Sequence, residues 1–221
     1  MIENAMPRRL YIFGAGGHGR EIAWLARSVF PGVEILHVVD AARHLTSPIN
    51  GADVRLLDTI EPTPDDGFIT AVGDAGLRMR AADRMHQTGL SPVTLVHPSA
   101  VLAPTVRIGA GSVVCAGVVL TDNVLVGEHA VVNIGCTLSH DVRIEDYATL
   151  SPGVHIAGHV VVRRAAMLGV GSSVINGTAA QPIVIGVGAT VGAGAAVIDD
   201  VADGVVVAGV PARPLHRGGD R

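Results

Sequence analysis

His140 lies in the run Ser139-His140-Asp141, with Asn133 seven residues earlier. An imidazole beside a carboxylate can take a proton from an attacking amine or hydroxyl while the carboxylate orients the ring and stabilises its charged form. A nearby amide or backbone N–H can polarise the carbonyl under attack. A second grouping, Gly14-Ala15-Gly16-Gly17-His18-Gly19, satisfies G-x-G-x-x-G and has Asp40 twenty-one residues after Gly19. Glycines let a backbone approach a phosphate, and a helix N-terminus favours the anion. Cys115 and Cys136 have neither CxxC spacing nor a partnered base, so they read as reduced thiols, Cys115 facing outward and Cys136 packed inside. His129, His155 and His159 lack the flanks of His140 and read as solvated or interface residues.

The glycine run belongs to an alternation of strands and helices. Leu10–Phe13 reads as a strand, Arg20–Val29 as an amphipathic helix stopped by Pro31-Gly32, and Val33–Val39 as a strand ending at Asp40. Phe68–Val72 reads as a third strand, Leu77–Gln87 as a helix closed by Gly89, and Pro92–Val96 as a last strand. The result is a small α/β unit with a parallel sheet. On its own the glycine pattern suggests NAD. The unit is only half a dinucleotide fold, however, so a mononucleotide-sized ligand fits better, and a plain tight turn remains an alternative for the glycines.

After Val96 the period becomes six. Stepping by six from Val96 to Val174, each residue is aliphatic, and four residues after each stands a small or β-branched side chain, from Ala100 to Thr178. One large and one small inward position per hexad describe a short strand and a tight turn, wound into a triangular prism. Ile185, Val191 and Val197 resume the period five residues late, so an extruded loop is expected over 177–184. With three hexads per coil, Asp122 falls beneath His140 and Asp141 beneath His159, while Asn176 lies two coils above His140. Asp141 is expected to orient the ring and Asp122 mainly to raise its pKa.

The hexad rule resembles that of the hexapeptide-repeat acyltransferases. Gly-x-Gly-Gly-His-Gly ahead of it resembles the sialic acid O-acetyltransferase and nucleotide-amino-sugar N-acetyltransferase group. The tail Gly209-Val-Pro-Ala-Arg-Pro-Leu215 looks like the ending that follows such helices. The resemblance covers nearly the whole chain. It implies a Rossmann-like half domain over 1–95 followed by a left-handed parallel β-helix over 96–221, assembled as a homotrimer with active sites at subunit interfaces. It implies acetyl-CoA as co-substrate, no metal, and direct transfer with His140 as base, helped by Asp141 and Asn133. By residue-for-residue match, the acceptor would be held by Gly16, Gly17, His18, Asp40 and Gly73. The coenzyme would lie near Thr149, Val170, Ala193 and Arg213. The family's second acid after Asp40 is here Ala41.

Composition narrows the partners. Apolar residues make up 48% and aromatics 3% of 221 residues, which suits a thin, regular interior of Val, Ile, Leu and Ala. Net charge is −4 with scattered arginines, so nucleic acid is not expected. The apolar runs are too short for a membrane span, and the first residues lack the apolar core of an export signal, so a cytoplasmic protein is expected. The acceptor stays open between the amino group of a nucleotide sugar and a hydroxyl of sialic acid or another sugar. Two further readings are a zinc enzyme using His155 and His159, for which a third ligand is missing, and a non-catalytic trimeric sugar-nucleotide module.

Overall fold

The structure, a computed structural model, describes residues 6–215. Its first unit is a five-stranded parallel sheet of β1 (Arg9–Phe13), β2 (Glu34–Val39), β3 (Val54–Leu56), β4 (Gly67–Thr70) and β5 (Ser91–Pro92), in the order β3-β2-β1-β4-β5. Two helices, α1 (Gly17–Val29) and α2 (Ala75–His86), connect the strands. Alternation along β1 sends Leu10 and Ile12 to one apolar cluster with Ile22 and Leu25 of α1. Tyr11 and Phe13 go to the other, with Ala81 and Met85 of α2. Helix α1 begins three residues before the sequence suggests, because the glycine run itself forms its first turn. Helix α2 begins at Ala75 because the Asp74 carboxylate accepts from Leu77 N at 2.7 Å, an N-cap that the apolar pattern does not signal. β3, a short edge strand, has no hydrophobic run and escaped the reading.

The segment expected as one strand over 92–96 is divided. Ser91–Pro92 pairs with β4, whereas Leu95–Val96 pairs with Val113–Val114 and opens the second half. From there three parallel sheets, called here the first, second and third faces, are filled in rotation by short strands. Each hexad supplies one strand, and each strand pairs with the one eighteen residues later, as Thr137 does with His155. The six-step aliphatics are the core: Leu120, Leu138, Ile144, Leu150 and Leu168 are at most 1% exposed. Glycines and Asn, Asp or His residues with positive φ, such as Asn123 (57°) and Asp141 (59°), turn the corners. Past the late shift Ile185 pairs with Val162, twenty-three residues apart. The extra residues form a turn closed by Thr178 and Gln181, at the corner between the second and third faces.

The α/β unit sits on the first face. Leu95, Val113 and Cys115, which point away from the prism interior, join the α1 cluster. Cys115 is therefore covered at 7% exposure and is not the outward thiol expected, because the neighbouring unit supplies its lid. The tail strand Arg213–Pro214 pairs antiparallel with Val206–Ala208 at the end of the prism. No helix among the described residues is long and apolar enough to cross a membrane.

Candidate active site

His140 follows inward Leu138 and stands at the corner between the second and third faces, its side chain 58% exposed. Its Nδ1 is 2.8 Å from Asp141 Oδ2. Asp141 Oδ1 also accepts from Asn123 Nδ2, one coil earlier, at 3.3 Å, and His159 Nε2 lies 3.8 Å from Oδ2. The bond to His140 holds the Asp141 carboxyl below the usual carboxylate range. With Nδ1 committed to a carboxylate, Nε2 is the nitrogen left to accept a proton. The ring lies against Gly158: a Cβ there would stand 2.5 Å from Cε1 and 2.6 Å from Nε2. The ring of His159 meets His140 edge-on at 5.0 Å, so it belongs to this corner, a contact that the reading as a solvated or interface residue did not include. Asp122 does not join the pair. Its Oδ1 accepts from the Thr105 hydroxyl at 2.6 Å, and only its backbone carbonyl reaches Asp141, accepting from Asp141 N at 3.0 Å.

Asn133 lies at a different corner, between the first and second faces, its Oδ1 accepting from Ile134 N. Val170 and Ala193 occupy the same corner in later coils, where Gly194 N donates to Val170 O at 2.8 Å. Within one chain, therefore, Asn133 and the expected coenzyme positions share a column that His140 does not. Thr149 is placed elsewhere: on the first face, its hydroxyl accepts from Arg78 Nη2 at 2.8 Å, so the α/β unit occupies it. Arg213 reaches Asp199 at 3.6 Å at the end of the prism and is otherwise exposed.

The glycine turn borders a cavity of about 500 Å³ whose walls include Gly14, Gly16, Asp40, His44, Val72 and Arg84. Two of its glycines are structural. A Cβ on Gly14, at φ 129°, would stand 2.6 Å from Ala71 O, and one on Gly19 would run into Gly14 O. Nothing lies within 4 Å of a Cβ on Gly16 or Gly73, and only an Arg20 side chain comes near one on Gly17, so packing does not require glycine there. Their bareness leaves backbone open to a ligand beside a helix N-terminus that no side chain caps. His37 fixes the turn, its Nδ1 2.8 Å from Gly14 O. His18 pairs with Glu21 at 3.3 Å, and burial pulls its pKa down. Asp40 is held by His44 at 3.1 Å and by Arg84 at 3.8 Å, so a single acid flanked by an imidazole and a guanidinium stands where the family pattern has two acids.

Residues 9–85 match the family described as the PglD N-terminal domain. Over 184 residues, 80% of this chain and 82% of the relative, the sequence is 30% identical to GDP-perosamine N-acetyltransferase of Escherichia coli O157:H7. The chain belongs to the nucleotide-amino-sugar N-acetyltransferase family of hexapeptide-repeat enzymes. WeeI from Acinetobacter baumannii AYE superposes with a TM-score of 0.88 at 32% identity, over 94% of this chain and 99% of that one. Perosamine N-acetyltransferase from Caulobacter crescentus, solved with CoA and GDP-perosamine, gives 0.83 at 32% identity, over 94% and 97%. The prism is accordingly a left-handed β-helix, and the protein is an acetyltransferase.

Gly158 and Asn123 were not singled out by the sequence, and His159 was placed over Asp141 without being read as part of the site. Gly158, His159 and Asn123 are one coil, or one coil and a residue, from His140 or Asp141, so the eighteen-residue coil is the signal that finds them. His129, expected at the surface, is 2% exposed under the α/β unit, between Phe68 at 6.1 Å and Tyr147 at 5.1 Å. Burial pulls its pKa down to about 4. Among the described residues one group offers clustered metal-ligand atoms: His140, Asp141 and His159, within 4.8 Å of one another. It differs from the three-histidine pattern that a zinc reading needs, and its closest contact is the His140–Asp141 bond itself. Burial pushes the Cys115 and Cys136 thiols up to about 12 and 11, so neither is a thiolate near neutrality.

Proposed function

We propose that the enzyme transfers the acetyl group of acetyl-CoA to the amino group of a nucleotide-linked amino sugar, with His140 as general base. The observation that carries this reading is the His140–Asp141 bond at 2.8 Å on an exposed corner, which leaves Nε2 open to an acceptor. As the amine nitrogen attacks the thioester carbonyl carbon, the C–N bond forms and the C–S bond breaks. Nε2 takes the proton that the nitrogen sheds, and the departing sulfur of coenzyme A accepts a proton in turn. Asp141 stabilises the imidazolium, and no protein side chain is acylated. The acceptor's nucleotide fits the cavity that Gly16 and Asp40 line, with Gly17, His18 and Gly73 as neighbours of its lining residues in the chain, where open glycine backbone meets a helix N-terminus. The relatives act on or bind GDP-perosamine, which makes a nucleotide-activated amino sugar the first acceptor to test.

A threefold assembly completes the site. The second face presents Val101, Val119, Thr137, His155, Ser173 and Ala196 outward, and Val101 is 62% exposed. The third face instead carries Arg107 and Arg143. Packing second faces about an axis brings one subunit's Asn133, Val170 and Ala193 corner toward a neighbour's His140 corner. Acetyl-CoA would lie in that groove, with Arg213 available to a phosphate. Thiol release from acetyl-CoA, measured against GDP-perosamine, other nucleotide amino sugars and free sugars on protein of determined mass, tests the reading. It predicts a trimer whose release depends on a nucleotide amino sugar. Release driven only by free sugar hydroxyls would contradict it.

A further inference from the structure

Arg78, on α2, is 1% exposed and has no carboxylate among its hydrogen-bond partners. A guanidinium has five N–H groups, and here each meets one neutral acceptor. Nη1 donates to Val72 O at 2.8 Å and Gly73 O at 2.9 Å, the turn after β4 that borders the acceptor cavity. Nε donates to His129 O at 3.1 Å, and Nη2 donates to Tyr147 O at 2.5 Å and to the Thr149 hydroxyl. His129 and Tyr147 occupy equivalent corners of consecutive coils, both with positive φ. One fork of the side chain therefore grips the cavity wall and the other grips two coils of the β-helix, one on either side of the hexad that holds His140.

Asp74 acts on this cation electrostatically but makes no hydrogen bond to it, and burying a charge so weakly paired is costly, so a tie meant only for stability is more readily made from apolar side chains. A planar, five-pronged donor instead fixes the angle and distance between the parts it joins. Burial is the main cause that pulls the His18 pKa down, and the charge of Arg78 adds a smaller push in the same direction.

We propose that Arg78 is a positioning residue: it locks the turn at 72–73, whose Val72 lines the acceptor pocket, to the β-helix, and thereby sets both nucleotide affinity and the acceptor's approach to the acetyl-transfer corner. This rests on reading the cavity as the nucleotide site. The experiment therefore begins with the binding of GDP, UDP and dTDP to the full-length wild type by calorimetry, without coenzyme. If none of them binds, the nucleotide reading itself has failed, and this inference is overturned with it. Given binding, Arg78→Met is expected to weaken the best nucleotide about tenfold or more, the range of a coupling energy between sites. In turnover the acceptor KM should rise while the acetyl-CoA KM holds. Arg78→Lys keeps the charge but not the two forks, so it should not restore affinity. Thr149→Val removes one of the five bonds and should shift affinity in the same direction by less, which keeps the test open if Arg78→Met does not fold. Hydrogen exchange should show the turn at 72–73 and the segment 147–149 losing protection together. Unchanged nucleotide affinity in a folded Arg78→Met, or in Thr149→Val should Arg78→Met not fold, would overturn the inference and leave Arg78 a structural tie.

Discussion

Gly158 governs the room available to His140, because its missing side chain is the floor on which the imidazole rests. In Gly158→Ala the ring must leave its place while the coil around it is undisturbed. Misplacing a catalytic group by about 1 Å can cost ~10²-fold, so kcat should fall on that scale with a nearly unchanged melting temperature. A wild-type kcat would show that the ring's position does not matter. The two aspartates near the base divide in the same way. Asp141→Asn removes the acceptor of the Nδ1 bond and should cut kcat sharply, whereas Asp122→Asn disturbs only a bond to Thr105 and should stay close to wild type. Equal losses, read from steady-state kinetics, would contradict this division. The sequence led to His140 and Asp141 through their flanks. The coil period also set His159 over Asp141, but Gly158 and Asn123 were missed because contact here runs between coils and not along the chain.

At the scale of elements, the six-residue period made the β-helix legible, since each aliphatic step is an inward side chain and few other forces shape so regular a core. Leu138 shows what each step contributes. It is 1% exposed and adjoins the corner of His140, so Leu138→Ala should destabilise the fold by about 2–5 kcal/mol, measured by denaturant unfolding. A loss below about 1 kcal/mol would mean that the coil collapses around the gap. The late shift over 177–184 was visible for the same reason, as a break in the period. It puts the extra turn and Asn176 at the corner of His140, two coils on. The division of the segment at 92–96 was not visible. Whether Leu95 belongs to one sheet or the other is decided by which unit it packs beside, and no local pattern records that.

For the whole molecule, the contact between the α/β unit and the first face was the least legible feature. It is built from residues that each looked ordinary: Arg78 on a helix, Cys115 and His129 on a repeat. Burying His129 neutral has a consequence that pH reveals. Its folded pKa of about 4 lies below the unfolded value near 6.5, so the unfolded state binds the proton first. Stability from this source is complete above pH 6.5 and is lost as pH falls toward 4, by up to about 3 kcal/mol. The unfolding midpoint of wild type should drop between pH 7 and pH 5 more than that of His129→Phe, and parallel drops would contradict the assignment. Assembly enters the proposal in the same way: Asn133 and His140 stand at different corners of one chain, and the proposed threefold packing would bring one subunit's Asn133 corner to a neighbour's His140. The proposed function turns on one proton transfer. The pH dependence of kcat with acetyl-CoA and a nucleotide amino sugar, compared between wild type and His140→Gln, tests it most directly. The account predicts a wild-type rate that rises with pH through one ionisation, and a variant that has lost that ionisation and about 10²–10⁴-fold in rate. A variant that keeps both the rate and the wild-type pH profile would show that the base lies elsewhere.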